Sequence, residues 1–538
     1  MGIKQKIHSI IYRKQNSILS ASIVLAVTFG ISAILGFLRS RFLYGYFFKC
    51  CTAQLDVYNA AFRLPDLIFK LLVTGALSAS FIPVFSGYLQ KSKKKAYLLA
   101  SSVINILLVV FTVAALIVLI FATPLTKLIA AGFSPEQLAL MVDLTRILLI
   151  AQIFFLLSNF ITAILQVNQI FIIPALSPII YNLFIIISIF TLAPTFGIHG
   201  VVYGAVVGAF FHLAIQIPSL KRLGFKYSFT TIKTKVDGVK EVFRLMIPRS
   251  LSLGLGEIEN TVTLFFASTL TIGSISILNL ALQLMYLPSR IFGTTIGQAS
   301  LPALSKNIAL NELQKFRTTV HKILIQSLFI ALPIAVLILI QRLAIVRILF
   351  GSRQFPWSAT VLTAKTLAFL TPAIVCQAII QILIRSFYAL HNTKVPFFIS
   401  LISLFFNVSL SFYLINFTDF GVLGLAISSS VANIVQLSGL LFMFIKIVDG
   451  FEWIVTLKKT NKILLSSIIM GIGTWVSIKV LDLFVLDTTK TIPVIIVFTI
   501  SSLVGLFSYI VSAKILKIEE INDYQRYFLK FKRFLLNK

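Results

Sequence analysis

Apolar runs of about twenty residues, separated by short polar segments, dominate the sequence. A helix of that length crosses a hydrocarbon core about 30 Å thick. The pattern predicts an all-α, polytopic membrane protein with about fourteen transmembrane helices, which we number 1 to 14. Their expected bounds are 18–38, 55–86, 99–123, 140–166, 172–193, 199–218, 242–269, 274–303, 320–343, 360–387, 396–415, 421–445, 463–483 and 492–515.

Composition supports lipid as the solvent for most of the surface. Of 538 residues, 58% are hydrophobic and 12% are charged, and the mean hydropathy is +0.98. The excess of 47 Lys and Arg over 17 Asp and Glu would suggest nucleic acid in a soluble protein. Here the aromatic residues lie inside the apolar runs and not among the basic clusters, so we expect no nucleic-acid partner.

Basic residues concentrate in alternate loops, which fixes the expected orientation. The even-numbered loops are rich in Lys and Arg and the odd-numbered loops are poor in them, so the positive-inside rule places both termini in the cytoplasm. The basic residues of the even-numbered loops are Lys91, Lys93, Lys94, Lys95, Lys221, Arg222, Lys226, Lys233, Lys235, Lys240, Lys306, Lys315, Arg317, Lys322, Lys394, Lys446, Lys458, Lys459 and Lys462.

Proline and glycine positions reveal an internal repeat. Leu64-Pro65 recurs as Leu287-Pro288, 223 residues later, and Phe196-Gly197 recurs as Phe420-Gly421 at an offset of 224. Three further matches have offsets of 222, 225 and 219: Pro174 with Pro396, Asn182 with Asn407, and Ile82-Pro83 with Leu301-Pro302. Helices 1–6 and 7–12 are therefore predicted to form two pseudo-symmetric lobes of the same orientation.

The repeat defines five expected regions, with helices 13 and 14 outside it. Parallel lobes leave a cavity between them, and rocking one lobe against the other gives alternating access. The regions are an N-lobe at 1–220, a basic cytoplasmic linker at 221–241, a C-lobe at 242–446, helices 13 and 14 at 447–516, and a basic amphipathic tail at 517–538.

Charged residues inside the spans mark the expected site, because a charge in the bilayer is costly unless it faces a cavity. Cations outnumber anions there, which indicates an anionic ligand, and arginine donates two parallel hydrogen bonds to a phosphate. The alternative of snorkelling to the headgroups stays open for Arg41, Arg290 and Arg385. The cationic candidates are Arg39, Arg41, Arg63, Lys70, Arg249 and Arg290.

Two aspartates and several helix-breaking residues are expected to support or gate this cavity. Asp56 lies two turns before Arg63 and either pairs with an arginine or caps a helix start. Asp66 directly follows Leu64-Pro65 and is assigned to a local helix adjustment. The supporting and gating candidates are Asp56, Asp66, Gly75, Pro83, Pro288 and Gln283, with Gly254, Gly256, Gly293 and Gly297 as further points of bending.

Acidic and amide side chains in helix 7 are candidates for ion coupling. Glu257, Glu259 and Asn260, with Asn407 of helix 11, can hold Na⁺ or relay a proton. The alternative is an ion pair between one of these glutamates and Arg249. We expect no other metal or cofactor, and coupling either to Na⁺ or to the membrane potential.

An enzymatic function is not expected. The five histidines and the cysteines Cys50, Cys51 and Cys376 show no metal-ligand spacing, and no serine or cysteine lies in a nucleophile motif.

Several motifs resemble those of the MviN/MurJ family of the MOP superfamily. They are Leu35-Gly36-Phe37-x-Arg39, Asp56, Ala61-Phe62-Arg63-Leu64-Pro65-Asp66, Gly75-Ala76-Leu77-Ser78 with Phe81-Ile82-Pro83-Val84-Phe85, Ile247-Pro248-Arg249, and Leu301-Pro302-x-Leu304-Ser305. The resemblance implies a MATE-like fold and a flippase that moves lipid II, a polyprenyl-pyrophosphate-linked peptidoglycan precursor, from the inner to the outer leaflet. It implies a bacterial cytoplasmic membrane, a lipid-linked saccharide and membrane lipids as partners, a monomer, and envelope-synthesis enzymes as further candidate partners.

The chain departs from the family pattern at several charged positions. Ala33, Phe69-Lys70, Thr74 and Leu282-Gln283 stand where well-known members carry Arg, Arg-Arg, Glu and Asp-Arg. Lys70, Arg249 or Arg290 are candidates to replace those charges. Three alternatives stay open: export of another polyprenyl-linked saccharide, a MATE-like cation-coupled antiporter, and a non-transporting scaffold for envelope synthesis.

Overall fold

The computed structural model describes residues 18–74, 77–229, 237–352, 354–484 and 490–521. Every long element in these ranges is a helix, and each lies where an apolar run predicts one. We label the helices α1 to α14 after the predicted spans. They are α1 Ile18–Phe47, α2a Thr52–Ala61, α2b Arg63–Phe69, α2c Ile82–Lys91, α3 Lys93–Ile120, α4 Pro135–Val167, α5 Ile172–Thr191, α6 Ile198–Ala214, α7 Asp237–Ser268, α8a Ser274–Ser289, α8b Thr295–Ala309, α9 Leu313–Phe350, α10 Trp357–Ala389, α11 Lys394–Phe417, α12 Val422–Ile447, α13 Trp453–Phe484 and α14 Thr491–Ile515.

Within the described residues, eleven helices are long and apolar enough to cross a membrane: α3 to α6 and α8 to α14. The predicted helical membrane fold is thereby confirmed, whereas the count of fourteen stays a prediction. Large apolar side chains lie on the surface of these helices, among them Phe405 and Phe507 with about 70% of their area exposed. Lipid is the medium in which such exposure is favourable. The three predicted spans outside this set, α1, α2 and α7, carry most of the charged candidates.

Two compact units divide the described residues. The first holds the chain up to Ser276 together with Ser352–Phe355, and the second holds the remainder. Helix α7 therefore packs with α1 to α6, although the repeat pairs it with the later helices. The lobe boundaries drawn from the repeat stay a prediction.

In the first unit, hydroxyl and amide side chains tie α4 to α6. The Nδ1 atom of His212 lies 2.6 Å from Ser158 Oγ, and Gln216 Nε2 donates to the same oxygen at 2.6 Å. Thr162 donates to Gln216 Oε1 at 2.9 Å. Because buried polar groups cost free energy unless they are hydrogen-bonded, this network fixes the register of the two helices.

In the second unit, an apolar core from α9, α10, α12, α13 and α14 surrounds Phe387 and Phe444. Tyr509 donates to the carbonyl oxygen of Phe329 at 2.7 Å and thereby joins α14 to α9. Helices 13 and 14 are thus packed onto the second unit. Glu519 follows the end of α14, and its Oε2 lies 2.7 Å from Lys459 Nζ of α13. This ammonium lowers the pKa of Glu519.

Helix α2 contains two π-helical turns, at Lys70–Thr74 and Leu77–Phe81, and α8 contains one, at Arg290–Thr294. A π turn forms i→i+5 hydrogen bonds and is frequent at functional sites. The turns that begin at Lys70 and Arg290 are 220 residues apart, within the offsets of the sequence repeat. Each begins with a cation.

The connection that precedes α4 needs a glycine because it touches the end of α7. Gly132 N donates to Ser268 Oγ at 3.2 Å. A Cβ atom at Gly132 would lie 2.2 Å from the Ser268 carbonyl oxygen. The two segments can therefore approach only when no side chain intervenes.

We predict that Gly132→Ala destabilises the protein by about 1–3 kcal/mol, because the new methyl group must displace backbone. The measurement is the melting temperature of the detergent-solubilised protein. Gly87→Ala is the matched control, since nothing lies within 4 Å of a Cβ atom there. That control should be neutral or slightly stabilising, and equal melting temperatures for the two variants would contradict the close approach.

Candidate functional site

A buried carboxylate of α7 pairs with two cations of α2. Lys70 Nζ lies 2.9 Å from Glu257 Oε1, and Arg63 Nη1 lies 3.4 Å from Glu257 Oε2. The Glu257 side chain is 10% exposed, against 22% for Arg63 and 40% for Lys70. Both carboxylate oxygens are engaged, so the charge of Glu257 is neutralised where water is scarce.

The fourth charged group of this cluster is Asp66. It accepts a hydrogen bond at 2.8 Å from Gln152 Nε2 of α4, and it interacts electrostatically with Lys70 and Arg63. We call Arg63, Asp66, Lys70 and Glu257 the charged cluster. Its two cations and two anions balance, which is how charges are held inside apolar helices at tolerable cost.

The π turn at Lys70–Thr74 is also bonded to α7. Ser250 Oγ donates to the carbonyl oxygen of Leu71 at 2.6 Å. Pro65, one turn before it, has no amide hydrogen and interrupts the helical hydrogen bonding of α2. Pro65 therefore leaves the carbonyl oxygen of Ala61 without its helical donor, and Thr145 of α4 donates to that oxygen at 3.2 Å.

Asp56 caps the first turn of α8. Its Oδ2 accepts from Gly273 N at 2.5 Å, and its Oδ1 accepts from Ser276 N at 2.8 Å and Ser276 Oγ at 2.6 Å. Gly273 has a φ of +97°, which favours glycine, and a Cβ atom there would lie 3.2 Å from Thr52. Two roles were predicted for Asp56, an ion pair with an arginine and the cap of a helix start. In the structure Asp56 caps a helix start.

Arg39 of α1 is half-buried and lies within electrostatic range of three tyrosines. Its charge acts on the phenols of Tyr44, Tyr58 and Tyr181. Tyr44 Oη accepts from Asn59 Nδ2 at 3.0 Å. In the described part of the chain, the ion pairs to carboxylates do not include Arg39.

The other cationic candidates are dispersed. Arg41 lies on α1, half-buried. Arg290 is exposed in the second unit, with its guanidinium 5.8 Å from the ring centre of Tyr286. Arg385 lies 5.9 Å from the ring centre of Tyr388. The side chain of Arg249 lies outside the described part, and so does a pairing with it.

The ion-coupling candidates are not all gathered in one place. Glu257 contacts two cations, as described, while Glu259 and Asn260 are half-buried on α7. Asn407 belongs to the second unit, where Ser411 Oγ lies 3.5 Å from its Oδ1. Among the described residues, no group of three or more His, Cys, Asp and Glu side chains is placed to hold a metal ion. Sodium coupling stays a prediction.

The gating candidates differ in their surroundings. Pro83 is exposed in the first turn of α2c, Pro288 is buried in α8a, and Gln283 is half-buried. Gly293 and Gly297 pack against α10, where a Cβ atom at Gly293 would lie 2.7 Å from Ala378 Cα. Gly254 borders Leu71 and Gly256 borders open space. Gly75 lies outside the described residues.

Sequence reasoning missed the neutral partners of the charged residues. These partners are Gln152, Ser250 and Ser276, which belong to common polar residue types. Distance along the chain also hides them, since Ser276 lies 220 positions from Asp56. A polar residue inside an apolar run, as Gln152 is in α4, is the signal that marks one of them.

A family model described as lipid II flippase MurJ matches residues 46–494. The chain belongs to this family.

Curated relatives of the MurJ family match over most of their length. A probable lipid II flippase MurJ of Bdellovibrio bacteriovorus is 28% identical over 502 residues, which cover 92% of this chain and 94% of the relative. One of Borreliella burgdorferi is 26% identical over 455 residues, which cover 84% and 87%. The predicted family resemblance is therefore confirmed.

Solved structures agree with the MurJ assignment. A lipid II flippase MurJ in an inward closed conformation matches with a TM-score of 0.76 and 26% identity, covering 93% of this chain and 100% of that chain. A MATE family multidrug transporter of the MOP superfamily, in an inward-facing conformation, matches with a TM-score of 0.61 and 13% identity over 80% and 98%. The second match supports the fold alone, and the predicted MATE-like MOP fold is confirmed.

We predict that Asp56→Ala destabilises this MurJ-family protein by about 2–3 kcal/mol, because it leaves two backbone amides and a hydroxyl without their acceptor. Asp56→Asn keeps one acceptor oxygen and should lose less. Thermal unfolding of the purified variants measures both. Asp419→Ala, at an exposed loop carboxylate, is the control and should change stability by less than about 0.5 kcal/mol; a loss as small as this at Asp56 would contradict the cap.

Proposed function

We propose that the protein is a flippase for lipid II, carrying this polyprenyl-diphosphate-linked peptidoglycan precursor from the inner to the outer leaflet by alternating access. The family match over residues 46–494 and the names of the relatives support the proposal. The observation that carries it is Arg39, a half-buried cation on an apolar helix without a carboxylate partner in the described ion pairs. A cation kept there at a free-energy cost needs an anionic ligand to offset it.

The chemistry of the ligand fits the residues that face it. A diphosphate presents several oxygens and at least two negative charges, which a guanidinium binds through parallel hydrogen bonds. The hydroxyls of Tyr44, Tyr58 and Tyr181 near Arg39 are donors for saccharide and phosphate oxygens. Arg63 and Lys70 extend the cationic character along α2.

The relocated charges are consistent with the same substrate. Lys70 supplies one cation where the family pattern has two arginines, at the start of a π turn. Thr74 replaces a glutamate of the pattern, and Glu257 supplies a carboxylate from α7 beside the same stretch of α2. We therefore assign the first unit's cations, with Arg39 foremost, to the diphosphate.

Transport is a cycle, so it needs an energy source and an orientation. We infer that both termini are cytoplasmic, from the basic loops. A diphosphate crossing the membrane carries charge, so the membrane potential acts on it, and Na⁺ is the alternative coupling ion. The lipid-linked substrate and membrane lipids are the proposed partners, and a monomer is the proposed working form.

We predict that the wild-type protein restores growth to a bacterium depleted of its own lipid II flippase. Arg39→Ala should abolish the rescue, because the diphosphate loses a charge-assisted contact worth about 2–3 kcal/mol, or about 100-fold in binding. Arg222→Ala, at an exposed residue, is the control and should rescue fully. Membrane levels of all three proteins are measured by immunoblotting.

Two outcomes would contradict the proposal. Absence of rescue by a wild-type protein that reaches the membrane would exclude lipid II as the substrate in that host and favour another polyprenyl-linked saccharide. Full rescue by Arg39→Ala would exclude this residue from the transport step.

A further inference from the structure

The Glu257 carboxylate stands where a phosphate group would bind. It bridges two cations, with one oxygen on Lys70 at 2.9 Å and the other on Arg63 at 3.4 Å. A phosphate oxyanion bridges two basic side chains in the same way. Two of the cations assigned to substrate binding are therefore already occupied by an anion of the protein itself.

The occupation of Arg63 is incomplete. Arginine has five N–H donors, and the buried Nε of Arg63 has no hydrogen-bond partner within the described residues. The contact through Nη1, at 3.4 Å, is long for a charge-assisted hydrogen bond, which is usually about 2.7–2.9 Å. One carboxylate does not satisfy this arginine, and a ligand with more oxygens can do so.

Glu257 is also part of the contact between α7 and the π turn of α2. Ser250 Oγ bonds to Leu71 O at 2.6 Å on that interface, and Leu71 borders Gly254. Removing Glu257 from the cations therefore loosens one of the polar links between the two helices while leaving the hydroxyl link in place.

We propose that Glu257 is a positioning residue that acts as an internal counter-anion. It holds Arg63 and Lys70 in place until the diphosphate of the substrate displaces it, and the inference rests on the proposed function. Displacement favours the ligand with the larger negative charge, because Coulomb attraction scales with charge; a phosphate monoester carries about −1.5 to −2 near neutral pH, and the corresponding diphosphate carries more. The Glu257 carboxylate thereby competes with a monophosphate head group more effectively than with a diphosphate, so the site prefers diphosphate.

The test is binding of farnesyl diphosphate and farnesyl monophosphate to the purified full-length protein in detergent, by calorimetry at 150 mM NaCl. The wild type should bind the diphosphate more tightly. Glu257→Gln should bind the monophosphate about tenfold more tightly than the wild type does, within the usual range for coupled sites, so that the preference for diphosphate narrows. In the complementation assay the same variant should support slower growth, because release of the diphosphate becomes harder.

Matched variants separate this role from general effects. Glu259→Gln removes the same charge two residues away, from a side chain that is not in the described ion pairs of Arg63 and Lys70, and should leave the preference unchanged. Glu257→Asp keeps the carboxylate and should restore part of the wild-type preference. If Glu259→Gln increased the affinity for farnesyl monophosphate as much as Glu257→Gln does, the effect would be one of net charge alone, and the inference would be overturned.

A purely structural role has a different signature. If Glu257→Gln binds both probes more weakly and melts at a lower temperature, Glu257 only supports the fold, and the inference fails while the proposed function stands. If the wild type binds neither probe and does not rescue the depleted strain, the proposed function itself fails.

Discussion

A charge placed among apolar helices has to meet an opposite charge or strong hydrogen-bond donors, and α2 is arranged by that constraint. Water would otherwise solvate these groups, and the hydrocarbon region offers none. Asp56 reaches the first turn of α8, Asp66 reaches Gln152 of α4, and Lys70 reaches Glu257 of α7. Each partner comes from a different helix, so the position of α2 follows from its charges. The apolar contacts fill the space that these links leave.

Arg39 differs from the cations of the charged cluster, and the proposed function rests on that difference. The charged cluster is balanced within the first unit, whereas the described ion pairs do not include Arg39. In the proposed function, Arg39 offers a charge that the described ion pairs leave unneutralised, and Arg63 and Lys70 offer charges whose counter-anion a ligand can displace. Such a site distinguishes ligands by their charge, because binding to Arg63 and Lys70 requires the ligand to displace Glu257, whereas binding to Arg39 displaces no carboxylate of the described ion pairs.

Helix positions could be predicted from the sequence, because the length of an apolar run is a local property that hydropathy measures directly. All fourteen predicted spans coincide with helices or interrupted helices of the described chain. Partners could not be predicted in the same way. Glu257 was expected beside Na⁺ or Arg249, whereas its described contacts are with Lys70 and Arg63 on α2, 187 and 194 residues away. Asp56 offered two roles, and only the folded chain brings Gly273 and Ser276 to it. The π turns could not be predicted from the pattern of apolar residues, since packing determines whether a helical turn forms i→i+4 or i→i+5 hydrogen bonds.

The π turns of α2 account for a difference in length between the two halves of the repeat. Eighteen residues separate Pro65 from Pro83, but fourteen separate Pro288 from Pro302. Four residues added to an α-helix would turn everything beyond them by about 40°, since each residue adds about 100°. Helix α2 has a second π-helical stretch where α8 has none, and wider turns take up extra residues with less net rotation. Helix α2 thereby holds four more residues between its two prolines than α8 does, with a smaller net rotation than four α-helical residues would produce.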